Sequence, residues 1–142
     1  MSADRATFAD SLRTIADLLD STPDLPKPDV LRLGDGGMPK VEWNVWDEEP
    51  APRIAELVRL IGGKWDKNAP TTEYQQKYYR LTRDYQGVEL EIATYRDRVC
   101  ERVVTGTREV TEEVAVQTAM VTRTEDVVEW RCHPLLAEAV SA

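Results

Sequence analysis

Apolar residues recur near the start of the chain at spacings of four, three and four: Phe8, Leu12, Ile15 and Leu19. This is one face of an amphipathic helix and predicts a helix over about 6–19, with Asp10, Arg13, Asp17 and Asp20 on its other side. Pro23, Pro26 and Pro28 follow and keep the next segment extended. The period then changes to two. Residues 30–33 read as a short strand, 34–37 as a glycine-rich turn, and 40–46 as a returning strand with Val41, Trp43 and Val45 on one face. A phosphate loop would need a helix directly after the glycines and a Lys-Ser/Thr pair. Met38-Pro39 and a strand follow instead, so a hairpin turn is expected. The acids Asp47, Glu48 and Glu49 and the two prolines after them suit a helix entry. A second helix over about 52–61 follows, burying Ile54, Leu57, Val58 and Ile61 and capped by Gly62. Residues 63–67 read as an edge strand. Residues 73–83 and 88–98 read as two strands joined through 84–87, the second with Val88, Leu90 and Ile92 alternating with Glu89 and Glu91.

From 98 to 132 the chain is rich in Val and Thr and has no proline, the composition of strands. Folding this stretch about Val116 makes paired residue numbers sum to 232. Cys100 then faces Cys132, Glu101 faces Arg131, Glu109 faces Arg123 and Val104 faces Val128, while Arg102 lies opposite Trp130 in reach of a cation–π contact. Opposite charges and matched apolar pairs contribute roughly 0.2–1 kcal/mol each across a ladder. The register predicts one long hairpin, with Gly106 marking a bulge and the tip near 113–118 formed by a longer loop. It should run on without a break from the strand before it. A short helix or tail over 135–140 is expected to pack against its base.

With 142 residues the chain is expected to form a single domain, 1–142, of α+β class. The architecture expected is a mostly antiparallel sheet packed by two helices, with 98–132 protruding as an extended β-hairpin arm. The formal charge of −8 makes nucleic acid an unlikely main partner, since phosphate binding needs clustered Lys and Arg. No apolar run near the N-terminus suggests a leader or a membrane span, so a cytoplasmic protein with no membrane partner is expected. Under that expectation Cys100 and Cys132 are reduced and buried at the base of the arm, a disulfide forming only under oxidising conditions.

Candidate chemistry is sparse. His133 is the single histidine. With Cys100 and Cys132 it supplies three soft ligands without a fourth and without a Cys-x-x-Cys spacing, and neighbours on a strand point to opposite faces. No catalytic, cofactor-binding or metal-binding residue is assigned, no cofactor is expected, and the chain is read as a non-enzyme. Two surfaces remain. One is the arm, where Val104, Arg108, Val110, Thr122, Arg123, Val128 and Trp130 are candidate contacts with a protein partner or a second copy. The other is a sheet region where tyrosines interleave with cations. There Tyr78, Arg80, Arg83 and Arg96 could stack on and neutralise a single nucleic-acid strand.

The runs YRDRVCERVVTGTREV and VEWRCHPLLA, together with LVRLIGGKWDK and YYRLTRDY, resemble a family of small uncharacterised proteins of actinobacteria and actinobacteriophages. The resemblance covers about 54–136. It implies a small cytosolic protein of a phage or mobile element, in the host cytosol if phage-encoded, and carries over no functional residue. The leading expectation is therefore an accessory protein whose arm mediates oligomer or host-partner contact. Nucleic-acid association through the Tyr/Arg sheet and a role as a virion or assembly component are the alternatives.

Overall fold

The computed structural model describes residues 2–33, 38–114 and 119–140. The expected glycine turn at 34–37 and most of the hairpin tip lie outside the described residues. In chain order the elements are α1 (Ser2–Ser21), β1 (Val30–Arg32), β2 (Lys40–Asn44), α2 (Ala51–Ile61), β3 (Asp66–Lys67), α3 (Glu73–Lys77), β4 (Tyr78–Tyr85), β5 (Val88–Tyr95), a 3-10 turn (Arg96–Arg98), β6 (Cys100–Val114), β7 (Ala119–Cys132) and a second 3-10 segment (Pro134–Ala139). The class is α+β. Five strands form one sheet in the order β1-β2-β5-β4-β3, and β6 and β7 form a separate two-stranded sheet. Among the described strands all pairings are antiparallel except β2 with β5, and an isolated parallel bridge joins Trp65 to Val140.

The alternation in the strands sets the layers. Val41, Trp43 and Val45 on and just after β2, Tyr79 and Leu81 on β4, and Val88, Leu90 and Ile92 on β5 turn to one side and are buried. Ile15 and Leu18 of α1 and Ile54, Leu57 and Val58 of α2 join the same cluster, so both helices cover that one face. α2 follows its expectation, with Pro52 in the first turn and Gly62 at the C-terminus in a positive-φ conformation (φ 83°). α1 is longer than expected and buries a rotated face. Ser11, Ile15 and Leu18 are inside, whereas Phe8 and Leu12 are exposed.

Two expectations about the sheet are corrected. Residues 73–77 are helical rather than the start of a strand. Thr72 caps this short helix: its hydroxyl accepts from the Gln75 amide while the Gln75 side chain accepts from the Thr72 amide, both at 3.1 Å. The ribbon is also not continuous. β5 ends at Tyr95, the turn Arg96–Arg98 intervenes, and the arm begins afresh at Cys100.

The arm itself follows the expected register at its base. Cys100 pairs with Cys132, Glu101 with Arg131, Arg102 with Trp130 and Val104 with Val128. Between Val104 and Gly106 the register shifts, leaving Thr105 as the extra residue of a bulge. Beyond it the sum becomes 233, so the expected Glu109–Arg123 pair does not form. Glu109 faces Thr124, and Arg123 faces Val110.

Candidate functional site: the arm and its anchorage

The arm's anchorage is built around Arg96, which is 2% exposed. Arg96 opens the turn that separates β5 from β6 and keeps the inward parity of Val88, Leu90, Ile92 and Thr94. There its guanidinium donates to the Asn68 side-chain oxygen (2.9 Å), the Tyr78 carbonyl (3.1 Å) and the Gln75 carbonyl (3.2 Å). The Tyr79 and Trp130 ring centroids each lie 5.6 Å from the guanidinium carbon. A buried cation needs compensation for lost hydration, and here carbonyl oxygens and ring faces supply it. Burial lowers the Arg96 pKa against the pull of Tyr79, and burial pushes Tyr79 up to about 12 against the charge of Arg96. Trp130, expected opposite Arg102 as its cation–π partner, thus takes the Arg96 guanidinium.

The second tether is covalent. Cys100 and Cys132 form a disulfide, which corrects the expectation of reduced thiols. Next to it the His133 amide donates to the Val99 carbonyl at 2.6 Å. That bond makes 99 and 133 a hydrogen-bonded pair, so Cys100 and Cys132 occupy the next, non-hydrogen-bonded position, where side chains approach most closely. The last segment then folds back against α2 and buries Leu136 in the core, where packing on the base of the arm was expected.

Beyond its base the arm has no layer of its own. One face presents Val104, Val128 and Trp130 near the base and Thr111 and Thr122 further out, with the two threonine hydroxyls 3.0 Å apart. The other face carries Arg108, Val110 and Arg123. There Arg108 bonds Glu125, and Arg123 reaches both Glu112 (3.3 Å) and Glu125 (3.2 Å). The hydrogen bond from Arg108 chiefly holds the Glu125 carboxyl below its usual range, against a desolvation cost and with help from the charges of Arg108 and Arg123. The seven candidate contacts are therefore divided between two faces. Val104 (48%), Met120 (64%), Val121 (43%) and Val127 (38%) are exposed apolar side chains on this ribbon.

The four candidate nucleic-acid residues are not one surface. Tyr78 and Arg80 lie on the open face of the sheet. Arg83 points to the opposite face and donates to the Gly62 carbonyl at 2.6 Å, closing the end of α2. Arg96 is buried. Three tyrosines of the expected cluster, Tyr74, Tyr78 and Tyr95, do form a row of rings, which Trp46 joins unforeseen: Trp46 and Tyr95 have centroids 4.9 Å apart, Tyr95 and Tyr78 5.7 Å, and Tyr78 and Tyr74 5.0 Å. Lys77, Arg80 and Arg98 sit over these rings. The pairing of Tyr78 with Tyr95 across β4 and β5 was the available signal. Between the row and the arm is a cleft of about 620 Å³ walled by Tyr95, Arg98, Lys77 and Trp130. Further along the same open face, Lys40 bonds the buried Glu91 at 3.1 Å and approaches Glu42 and Glu89 at 3.6 Å. Burial opposes its charge, but Glu91 and the two further carboxylates outweigh that and raise its pKa.

Comparison with known protein families, curated proteins and solved structures found no match. Among the described residues no helix is long and apolar enough to cross a membrane.

Proposed function

We propose that this is a non-enzymatic accessory protein, of phage or mobile-element type, that acts by protein–protein contact through its arm. The observation that carries the reading is the ribbon of β6 and β7, 15 and 14 residues long, to whose edges no other described strand adds. Two strands alone bury too little to be independently stable in water, so a ribbon of this length is expected to gain stability from what it touches. Exposed strand edges are also the usual template for adding a partner's strand. Action in the host cytosol belongs to the same proposal, with the disulfide then formed only in an oxidising setting. Removal of 105–123 tests the reading: the remaining chain keeps its near-ultraviolet circular dichroism but loses association. Unchanged oligomeric state and partner capture would reject it.

A second reading, single-stranded nucleic acid on the open sheet face, is favoured by the ring row with its three cations. The charge of −8 opposes it. A complex in a low-salt gel shift, weakened by Arg80→Ala and Arg98→Ala, is its expected signature. No shift at low salt rejects it.

A further inference from the structure

The arm-contact reading leaves the partner open. Resting on that reading, we infer that the partner is a second copy of this chain: β7 pairs antiparallel with β7 of the other copy, centred on Thr124, to give a four-stranded sheet ordered β6-β7-β7-β6.

The hydrogen-bond phase of the hairpin fixes which groups are free to pair. The His133–Val99 bond sets the alternation at the base. β7 carries no extra residue at the bulge, so the phase runs along it unbroken. The close approach of the Thr111 and Thr122 hydroxyls, at 3.0 Å, fits a non-hydrogen-bonded pair further out. The amides and carbonyls of Met120, Thr122, Thr124, Asp126 and Val128 therefore point away from β6. They form one unbroken edge.

The side chains on that edge are self-complementary. With Thr124 opposite its own copy, paired numbers sum to 248. Arg123 faces Glu125 of the other copy, and Glu125 faces its Arg123. Val121 faces Val127 and Met120 faces Val128, each twice. Thr122 faces Asp126. Opposite charges and apolar pairs in those positions stabilise a ladder, and like charges would oppose it. Paired positions share parity, so each face of the ribbon continues into the same face of the other. A two-fold axis through the Thr124 pair relates them, and the interface closes. Met120, Val121 and Val127, all exposed in one copy, become covered on both sides of the axis.

β6 is the poorer edge. Its bulge at Thr105 interrupts the row of outward groups, a feature that commonly blocks strand addition.

The test is sedimentation of the full-length chain over a wide concentration range, with two proline variants. Proline on an edge strand is tolerated where its missing N–H faced outward. Thr124→Pro removes an outward amide from β7, and Glu109→Pro removes one from β6, so both should keep the hairpin by circular dichroism. The expected result is a wild-type dimer, retained by Glu109→Pro and weakened about a hundredfold by Thr124→Pro. Arg123→Glu and Glu125→Arg alone should each weaken self-association. Mixing the two variants should restore a heterodimer, because every cross-axis pair is then of opposite sign. A monomeric wild type overturns the self-pairing alone, leaving the arm free for a different protein. A dimer that persists in Thr124→Pro, or that survives removal of 105–123, overturns it too, and the latter rejects the arm-contact reading with it.

Discussion

Arg96 holds three segments together: it reaches the loop at Asn68, the end of α3 through Gln75 and Tyr78, and the arm through Trp130. Its geometry is a planar fork, which a lysine cannot reproduce. Arg96→Leu strands buried carbonyls and should cost about 2–4 kcal/mol in urea denaturation, with Arg96→Lys recovering only part. Tyr79 gives a second handle. Its hydroxyl keeps its proton to about pH 12 in the folded chain, against about 10 in the unfolded chain. The unfolded state thus ionises first. This group's stabilisation is complete below about pH 10 and is lost as pH rises through the folded value, a loss of roughly 2–3 kcal/mol. Alkaline titration followed by tyrosinate absorbance should show one late-ionising tyrosine coupled to unfolding. Tyr79→Phe should remove that part of the alkaline instability.

The arm was readable in outline because its composition and cross-strand charges agree on one register, and that register holds from Cys100 to Val104. It failed at Glu109 and Arg123 because a single extra residue at Thr105 moves every later partner by one. Side-chain pairing alone does not reveal where such a residue sits. The Thr72-x-x-Gln75 box was visible and would have separated α3 from β4, but the tyrosines around it favour strands and masked the cap. Arg96 was misplaced although alternation pointed inward: it shares parity with the buried Val88, Leu90, Ile92 and Thr94, and only its charge argued for a surface. The disulfide joins residues 32 apart in sequence. Closing a loop of that length should stabilise the fold by about 3–4 kcal/mol relative to the reduced chain. Urea midpoints with and without reductant measure this. Reduction should also raise hydrogen exchange across 99–104 and 128–133 before it affects β4 and β5.

As a whole the molecule divides its labour. One face of the five-stranded sheet is closed by α1 and α2. The other is left to charged and aromatic side chains, and the arm leaves from its corner. Patterning announced the closed face, since buried strands alternate strongly. The open face was harder to see because its residues come together only through the order β1-β2-β5-β4-β3, which brings Trp46 beside Tyr95 from far along the chain. In α1 periodicity favoured Phe8 and Leu12 as the continuation of Ile15, but the buried stripe runs through Ser11, Ile15 and Leu18 instead. The chain purified in air should have a mass two hydrogens below its reduced form and show no thiol to an alkylating label even after denaturation. Two labelled sites under those conditions would reject the bonded pair.

Thr105 carries one last consequence. Because it is surplus, a chain lacking it would retain every partner on either side, from Cys100–Cys132 to Val114–Ala119. What would change is direction: a bulge bends its strand, so without it the ribbon would straighten and leave the body at another angle. The same deletion would restore an unbroken row of outward groups along β6, so a single codon sets both where the ribbon points and which of its edges is open.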